Sequence, residues 1–293
     1  MSERLCCEQI GKNYKKKEAL KNVTLTLEKG KIYGLIGRNG AGKTTLLSIL
    51  SAQNPATFGT VTLDGQEVWE NEEALKSICF SRELNINGNS TLASTKVKEY
   101  FRIAATYLPY WDQAFADELI RKFGLDVKKR IGKLSKGMTS MVTIIVALAS
   151  KAEFTFLDEP VAGLDVVARE QFYRILLDEF TETERTFVIS THIIEEAADL
   201  FEEVILVDQG EILLKENTQD LLDSCAYVTG KAEDVDAAVS GMEIHHQEKM
   251  GRSKGVMVRL KDGQEITGSN VTVQPMSLQK VFVALCGVVS NNL

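Results

Sequence analysis

The chain has 293 residues, 44% of them hydrophobic and 26% charged. That is the composition of a folded globular protein, long enough for one domain of about 220 residues with a smaller appendage. The net charge of -7 argues against nucleic acid as the main partner, since its binders usually carry a basic face. No apolar run reaches the ~20 residues needed to cross a bilayer; the longest, Met141–Ala149, is interrupted by Thr143. The opening MSERLCCEQI has no basic stretch leading into an apolar one, so a secretory signal is not expected. These features predict a cytoplasmic chain whose membrane role, if any, comes through a partner. The cysteine count of 5 is odd and no Cys-x-x-Cys occurs, which argues against a disulfide framework or a zinc site and for reduced thiols, mostly buried.

In chain order, residues around Leu5–Ile10 and Ala19–Leu27 alternate apolar and polar, the pattern of half-buried antiparallel strands. The lysines 15–17 between them read as a solvated turn. Lys31–Ile36 is a short apolar run entering a glycine-rich loop, and Gly42–Ser51 has helical spacing. Residues 57–69 alternate again, with a turn at Asp64-Gly65. The section from about 84 to 150 is helical, with segments expected at Thr95–Leu108, Asp112–Phe123 and Lys136–Ser150. The first should end near Leu108, before Pro109. Strand and helix then alternate: strands at 153–157, 185–190 and 203–207, helices at 166–180 and 193–200. Such alternation indicates an α/β domain with a mainly parallel sheet. From about Ser224 the pattern shifts to short strands and two helices, Glu233–Val239 and Ser277–Leu285. The expected division is residues 1–223 and a small α+β appendage at 224–293.

Gly37-Arg38-Asn39-Gly40-Ala41-Gly42-Lys43-Thr44-Thr45 fits G-x-x-x-x-G-K-[ST], a loop between an apolar strand and a helix. Its glycines let backbone N–H groups close around phosphate oxygens, and the following helix directs its positive end at the same anion. Lys43 adds a charge for the β- and γ-phosphates. The Thr44 hydroxyl suits a Mg²⁺ ligand. The expected binding residues are therefore Gly37, Asn39, Gly40, Ala41, Gly42, Lys43, Thr44 and Thr45, and the expected ligands are a nucleoside triphosphate and Mg²⁺. Phe154-Thr155-Phe156-Leu157-Asp158-Glu159-Pro160 ends an apolar strand in two acids. Asp158 falls at the strand's carboxyl end, where α/β sheets bind ligands, and is positioned to hold Mg²⁺. Glu159 can orient a water in line with the γ-phosphate.

With these residues in view the chain resembles the ABC ATPase family over about residues 3–223. The resemblance implies a P-loop NTPase fold with an antiparallel β subdomain and a helical subdomain. Leu134-Ser135-Lys136-Gly137-Met138 is similar to the family's LSGGQ signature. It implies that Ser135 and the Gly137 backbone face the γ-phosphate held by a second subunit. By the same resemblance Val161–Asp165 is the D-loop, Ser190-Thr191-His192 the switch with His192 on the γ-phosphate, and Tyr14 the aromatic that stacks on adenine. Glu159, His192 and Lys43 are then the catalytic set. The sequence departs from the pattern in two places. Lys136 and Met138 stand where Gly and Gln are usual, a variation resembling the bacterial drug- and antibiotic-export branch. The Q-loop glutamine corresponds to Glu83 or Arg82; Glu83 can accept a Mg²⁺-bound water but cannot donate while ionised.

The resemblance implies an ATP-hydrolysing subunit that dimerises with itself or a paralogue and drives a separate permease, peripheral on the inner membrane face. Residues 93–123 carry Tyr100, Phe101, Tyr107, Tyr110, Trp111 and Phe115, which serve as core alone or as core plus a permease groove. The segment from Met276 to Leu285 is similar to the closing helix of export-type subunits, and packing on its own appendage explains it equally well. Two other readings fit the resemblance: a soluble ABC ATPase acting on ribosomes or nucleic acid, and a regulatory subunit that binds ATP without hydrolysis. A single cassette without sustained heptads between the phosphate loop and Ser135 disfavours the first. Intact Lys43, Asp158, Glu159 and His192 disfavour the second. No Asn-Lys-x-Asp guanine reader occurs, so a GTPase is not expected.

Overall fold

The computed structural model describes residues 4–15, 17–86, 91–261, 263–268 and 270–287. Its elements run β1 (Arg4–Tyr14), β2 (Lys17–Glu28), β3 (Ile32–Ile36), α1 (Lys43–Leu50), β4 (Phe58–Leu63), β5 (Gln66–Glu67), α2 (Glu72–Lys76) and β6 (Ile78–Ser81). The helical section holds α3 (Thr91–Ser94), α4 (Val97–Tyr107), α5 (Gln113–Lys122) and α6 (Lys136–Ala149). Then follow β7 (Phe154–Asp158), α7 (Val166–Thr183), β8 (Thr186–Thr191), α8 (Ile194–Ala197), β9 (Glu203–Asp208), β10 (Glu211–Asn217) and α9 (Thr218–Ser224). The chain closes with β11 (Cys225–Lys231), α10 (Ala232–Ala238), β12 (Glu243–Met250), β13 (Ser253–Arg259), β14 (Val271–Pro275) and α11 (Leu278–Cys286).

A sheet of order β10-β9-β3-β8-β7-β6 forms the centre. Every pairing in it is parallel except β10 on β9. Its inner strands β3, β7 and β8 are buried almost throughout because both faces are covered, and alternation still sorts the side chains. Tyr33 and Leu35 of β3, Phe154 and Phe156 of β7, Val188 of β8 and Ile205 of β9 enter a core shared with β1, β2 and α1. Ile32 and Ile36, Leu157, Phe187 and Ile189, and Val204 and Leu206 point the other way, into a core shared with α4, α6, α7 and α8. The antiparallel sheet β2-β1-β4-β5 closes the first face and the helical section the second. The α/β fold and its antiparallel and helical parts are as expected from sequence.

Several boundaries differ. The helix expected from Thr95 begins at Val97, because Lys96 is extended (φ -75, ψ 149) and Glu99 turns back to accept from its N–H at 3.1 Å. It ends as expected, with Leu108 leaving helical geometry at ψ 107. The helix expected at 193–200 is one α turn followed by a 3-10 turn, Ala198–Leu200. The expected turn at lysines 15–17 falls where β1 ends and β2 begins, with Lys15 at φ 52; residue 16 lies outside the described residues. The short elements α2, β6 and α3, of four or five residues, and the seven-residue β10 and α9 are not among those expected from sequence.

The C-terminal sheet, order β12-β13-β11-β14, has a small core of its own around Val228, Val235, Val256 and Val258. Met257, Leu278, Val281 and Ala284 instead join the main core beside Ile194 and Ala197 of α8. The last helix is therefore packed on the central body as well as on its own sheet. Cys7, Cys79 and Cys225 are buried and Cys6 and Cys286 half-buried, all as free thiols. Among the described residues no helix is long and apolar enough to cross a membrane.

Candidate functional site

The parallel register brings three strand ends to one edge: Ile36 pairs with Thr191 and Asp158 with Ser190. The loop after β3, the two acids after β7 and the histidine after β8 therefore meet at the carboxyl edge of the sheet. Two glycines make the loop possible. A Cβ on Gly37 would fall 2.4 Å from the Val207 carbonyl oxygen. Gly42, which starts α1, has φ 113, and a Cβ there would lie 2.8 Å from the Ala19 oxygen. Any side chain at either place would force the loop open.

Lys43 is buried, 6% exposed, and donates to the Gly37 carbonyl at 2.7 Å. Its ammonium is 3.8 Å from Glu159 Oε1. The other carboxylate oxygen of Glu159 lies 2.6 Å from His192 Nδ1. A carboxylate only accepts, so Nδ1 carries the proton. Glu159 has a left-handed backbone, φ 49, which costs a non-glycine residue roughly 1 kcal/mol. Its N–H is held against that strain by the Ser190 carbonyl at 3.0 Å and the Ser190 hydroxyl at 3.2 Å. Thr44 Oγ1 donates to Asp158 Oδ2 at 2.6 Å, and Ser190 donates to the other oxygen of Asp158.

Lys43, Thr44 and Glu159 border a hollow of about 360 Å³, and Asp158 and His192 stand behind Thr44 and Glu159, outside its lining. Tyr14, Asn39, Gly40, Gly42, Lys43, Thr44, Thr45 and Glu159 line it, with Lys17 and Ala19 beside them. Tyr14 stands at the rim, 45% exposed. Lys12 lies over its ring at 5.1 Å, and Asn54 donates to its hydroxyl. Lys17 was read as part of a solvated turn; it is exposed, yet β2 carries it to the hollow. Neither Lys17 nor Ser190's grip on Asp158 has a sequence signal, because both depend on strand pairing. A larger hollow of about 650 Å³ between α5 and α7 contains none of the motif residues.

Ser135 and Gly137 do not border the phosphate-loop hollow of their own chain. Ser135 is exposed and caps α6, accepting from the Met138 N–H at 3.2 Å. Gly137 packs against the loop of residues 161–165, where a Cβ would fall 2.5 Å from the Gly163 oxygen. Glu83 is brought to Lys136, at 3.6 Å, with no contact to Thr44 or Asp158 among those described.

The model of the ABC transporter family matches residues 20–162, from β2 through the paired acids. The chain is 31% identical to the taurine import ATP-binding protein TauB of Shigella dysenteriae, over 68% of this chain and 77% of that one. It is 29% identical to the bacitracin transport ATP-binding protein BcrA of Bacillus licheniformis, over 98% of both. Its fold matches that of a dimeric ATP-binding cassette bound to ADP and Pi with a TM-score of 0.63 at 24% identity, covering 73% of this chain and 98% of that one. Likeness at this level extends to sequence as well as fold: the chain belongs to the ABC transporter family and is an ATP-hydrolysing, ATP-binding subunit of such a transporter.

Proposed function

We propose that this subunit closes as a dimer around two ATP molecules and so drives a separate membrane permease, in the export direction. One observation carries the hydrolytic part: Lys43, Glu159 and His192 converge at the edge of a hollow lined by the phosphate loop. Residues 37–45 hold the phosphates and Tyr14 stacks on adenine, whose ring face needs no directional partner. The Thr44 hydroxyl and Asp158 carboxylate are hard oxygen donors 2.6 Å apart, a set that fits Mg²⁺. No group of three or more His, Cys, Asp or Glu able to hold an ion occurs among the described residues. Thr44 and Asp158 would thus share the ion with nucleotide oxygens. When bound, it neutralises charge developing on the phosphates.

Glu159 orients the attacking water and takes its hydrogen bond. The water oxygen bonds to the γ-phosphorus as the bond to the bridging oxygen breaks, and ADP leaves. His192, held by Glu159 through Nδ1, turns its other ring nitrogen to the γ-phosphate, to which it donates when that nitrogen also carries a proton. Ser135 and the Gly137 backbone of the partner subunit complete the site. Closing and reopening differ in stability with and without the γ-phosphate, and that difference moves the permease. The permease docks on the helical section, where Ile103, Tyr107 and Tyr110 are exposed at 49%, 80% and 54%; exposed aromatics suit such anchors. Phe101 and Trp111 serve the core instead, their rings 6.4 Å apart.

Residues 1–223 form the ATPase domain, with its helical part at about 84–150, and 224–293 the appendage. Export is favoured by the full-length likeness to BcrA, appendage included, whereas the likeness to the import protein TauB covers 68% of this chain. The subunit resides in the cytoplasm, on the inner membrane face beneath the permease. A turnover assay tests the site. Wild type should release phosphate from Mg-ATP and Glu159→Gln should bind ATP without doing so; undiminished turnover by the variant contradicts the assignment.

A further inference from the structure

Lys136 sits where two loops meet. It is the first residue of α6, beside the cap Ser135. Its stem lies against the loop of residues 161–165: a Cβ on Gly163 would fall 2.7 Å from Lys136 Cγ. Ser140, one turn on, donates to the Ala162 carbonyl at 2.7 Å. The start of α6 and this loop thus form one packed unit. From that unit Lys136 reaches across to Glu83, in the segment after β6, with 3.6 Å between ammonium and carboxylate. Lys136, one of the two departures in the signature, is thereby paired with Glu83, one of the two residues that correspond to the Q-loop glutamine.

Both side chains are largely exposed, Lys136 at 58% and Glu83 at 69%. At such exposure an ion pair shifts an equilibrium only about two- to fivefold. The pair is formed, and it is weak enough to be exchanged for a stronger anion. A lysine's flexible four-carbon stem allows that exchange without movement of the backbone. Ser135 is the adjacent residue and Gly163 anchors the stem, so the ammonium is confined to the surface around the α6 N-terminus. In the two-subunit site proposed above, that surface faces the γ-phosphate bound by the other chain. A terminal phosphate carries more charge than a carboxylate and becomes enclosed when the dimer closes.

We propose that Lys136 and Glu83 form a latch. The ammonium is held by Glu83 within its own chain and passes to the γ-phosphate of the partner-bound ATP as the dimer closes. The latch couples the loop after β6 to the nucleotide state of the other subunit, and it opposes closure until a γ-phosphate is present. It rests on the two-subunit reading of the ATP site. An ADP-loaded partner offers no such anion, so the latch favours reopening after hydrolysis.

The test measures dimer dissociation constants by sedimentation equilibrium in Mg-ATP, with the full chain carrying Glu159→Gln. Lys136→Ala should weaken the dimer about tenfold, the scale of one charge-assisted contact, and Lys136→Arg should largely restore it. Glu83→Gln should tighten the dimer about two- to fivefold by removing the competing anion. That gain should vanish when Lys136→Ala is also present. A surface pair with no such role would leave all four constants alike. Lys136→Ala dimerising as the parent does, or Glu83→Gln acting equally with and without Lys136, overturns the latch. Ser135→Arg separates the two levels. If it blocks the dimer while Lys136→Ala does not, the two-subunit site stands and the latch falls. A parent that stays monomeric in Mg-ATP overturns both.

Discussion

The two ends of the central sheet carry similar amounts of charge and use it in opposite ways. At the carboxyl ends of β3, β7 and β8, Lys43 and Glu159 line an open hollow, with Asp158 and His192 bonded to the lining residues Thr44 and Glu159. At the amino ends, charges are held by one another, and Lys151 and Glu179 form part of the wall of a second hollow. Arg185 is 5% exposed and Glu179 1%, with 2.7 Å between them, and Lys151 adds a second cation at 2.8 Å. Arg185 also donates to the Ala152 and Leu148 carbonyls. Burial pushes its guanidinium below the ordinary value, while Glu179 pulls it back. Lys151 lies 4.0 Å over the Phe115 ring. The larger hollow is at this end, so neither charge nor cavity size locates the chemistry here. Strand direction does: parallel sheets gather loops and helix N-termini at the carboxyl edge.

That contrast breaks if the amino-end network proves catalytic or the carboxyl-end groups prove structural. The largest effect is expected at Glu159. Glu159→Gln should lower turnover roughly thousandfold, the range of a positioned general base, with thermal stability nearly unchanged. Glu179→Gln should do the reverse. It strands the buried Arg185 and should cost about 3 kcal/mol in a denaturant melt, while the folded fraction still binds ATP. Lys43→Ala should weaken ATP binding about a hundredfold, as loss of one buried charge partner does; retained tight binding would sink the phosphate-loop assignment. Ser135→Arg sharpens the comparison from another side, leaving binding to the monomer intact and blocking the dimer. The smallest effect belongs to Lys122→Ala, on the rim of the larger hollow. Its pair with Glu118 is exposed, so stability should change by less than about 0.5 kcal/mol and ATP affinity not at all.

The carboxyl edge was legible in sequence because its parts are contiguous. Gly37–Thr45 is one loop, Asp158-Glu159 one strand end and Ser190-Thr191-His192 another, and a parallel register places them together. The amino-end network was not legible. Lys151, Glu179 and Arg185 lie on separate elements, and nothing in their spacing predicts a buried triad. The same holds for Lys17, which reaches the hollow only through the pairing of β1 with β2. Pairing of Lys136 with Glu83 was hidden too, although both had been singled out as departures. The sequence of α11 is similar to the closing helix of export-type subunits and equally fits packing on its own appendage. Its buried face, Leu278, Val281 and Ala284, joins the main core, a choice that depends on how α8 sits and not on the helix's own period.

The central claim is that one chain holds half of each ATP site. Light scattering on Glu159→Gln, with and without Mg-ATP, tests it most directly. The expected result is a monomer that becomes a dimer only when ATP is present. A protein that binds ATP and remains monomeric would contradict a site shared between two copies of this chain.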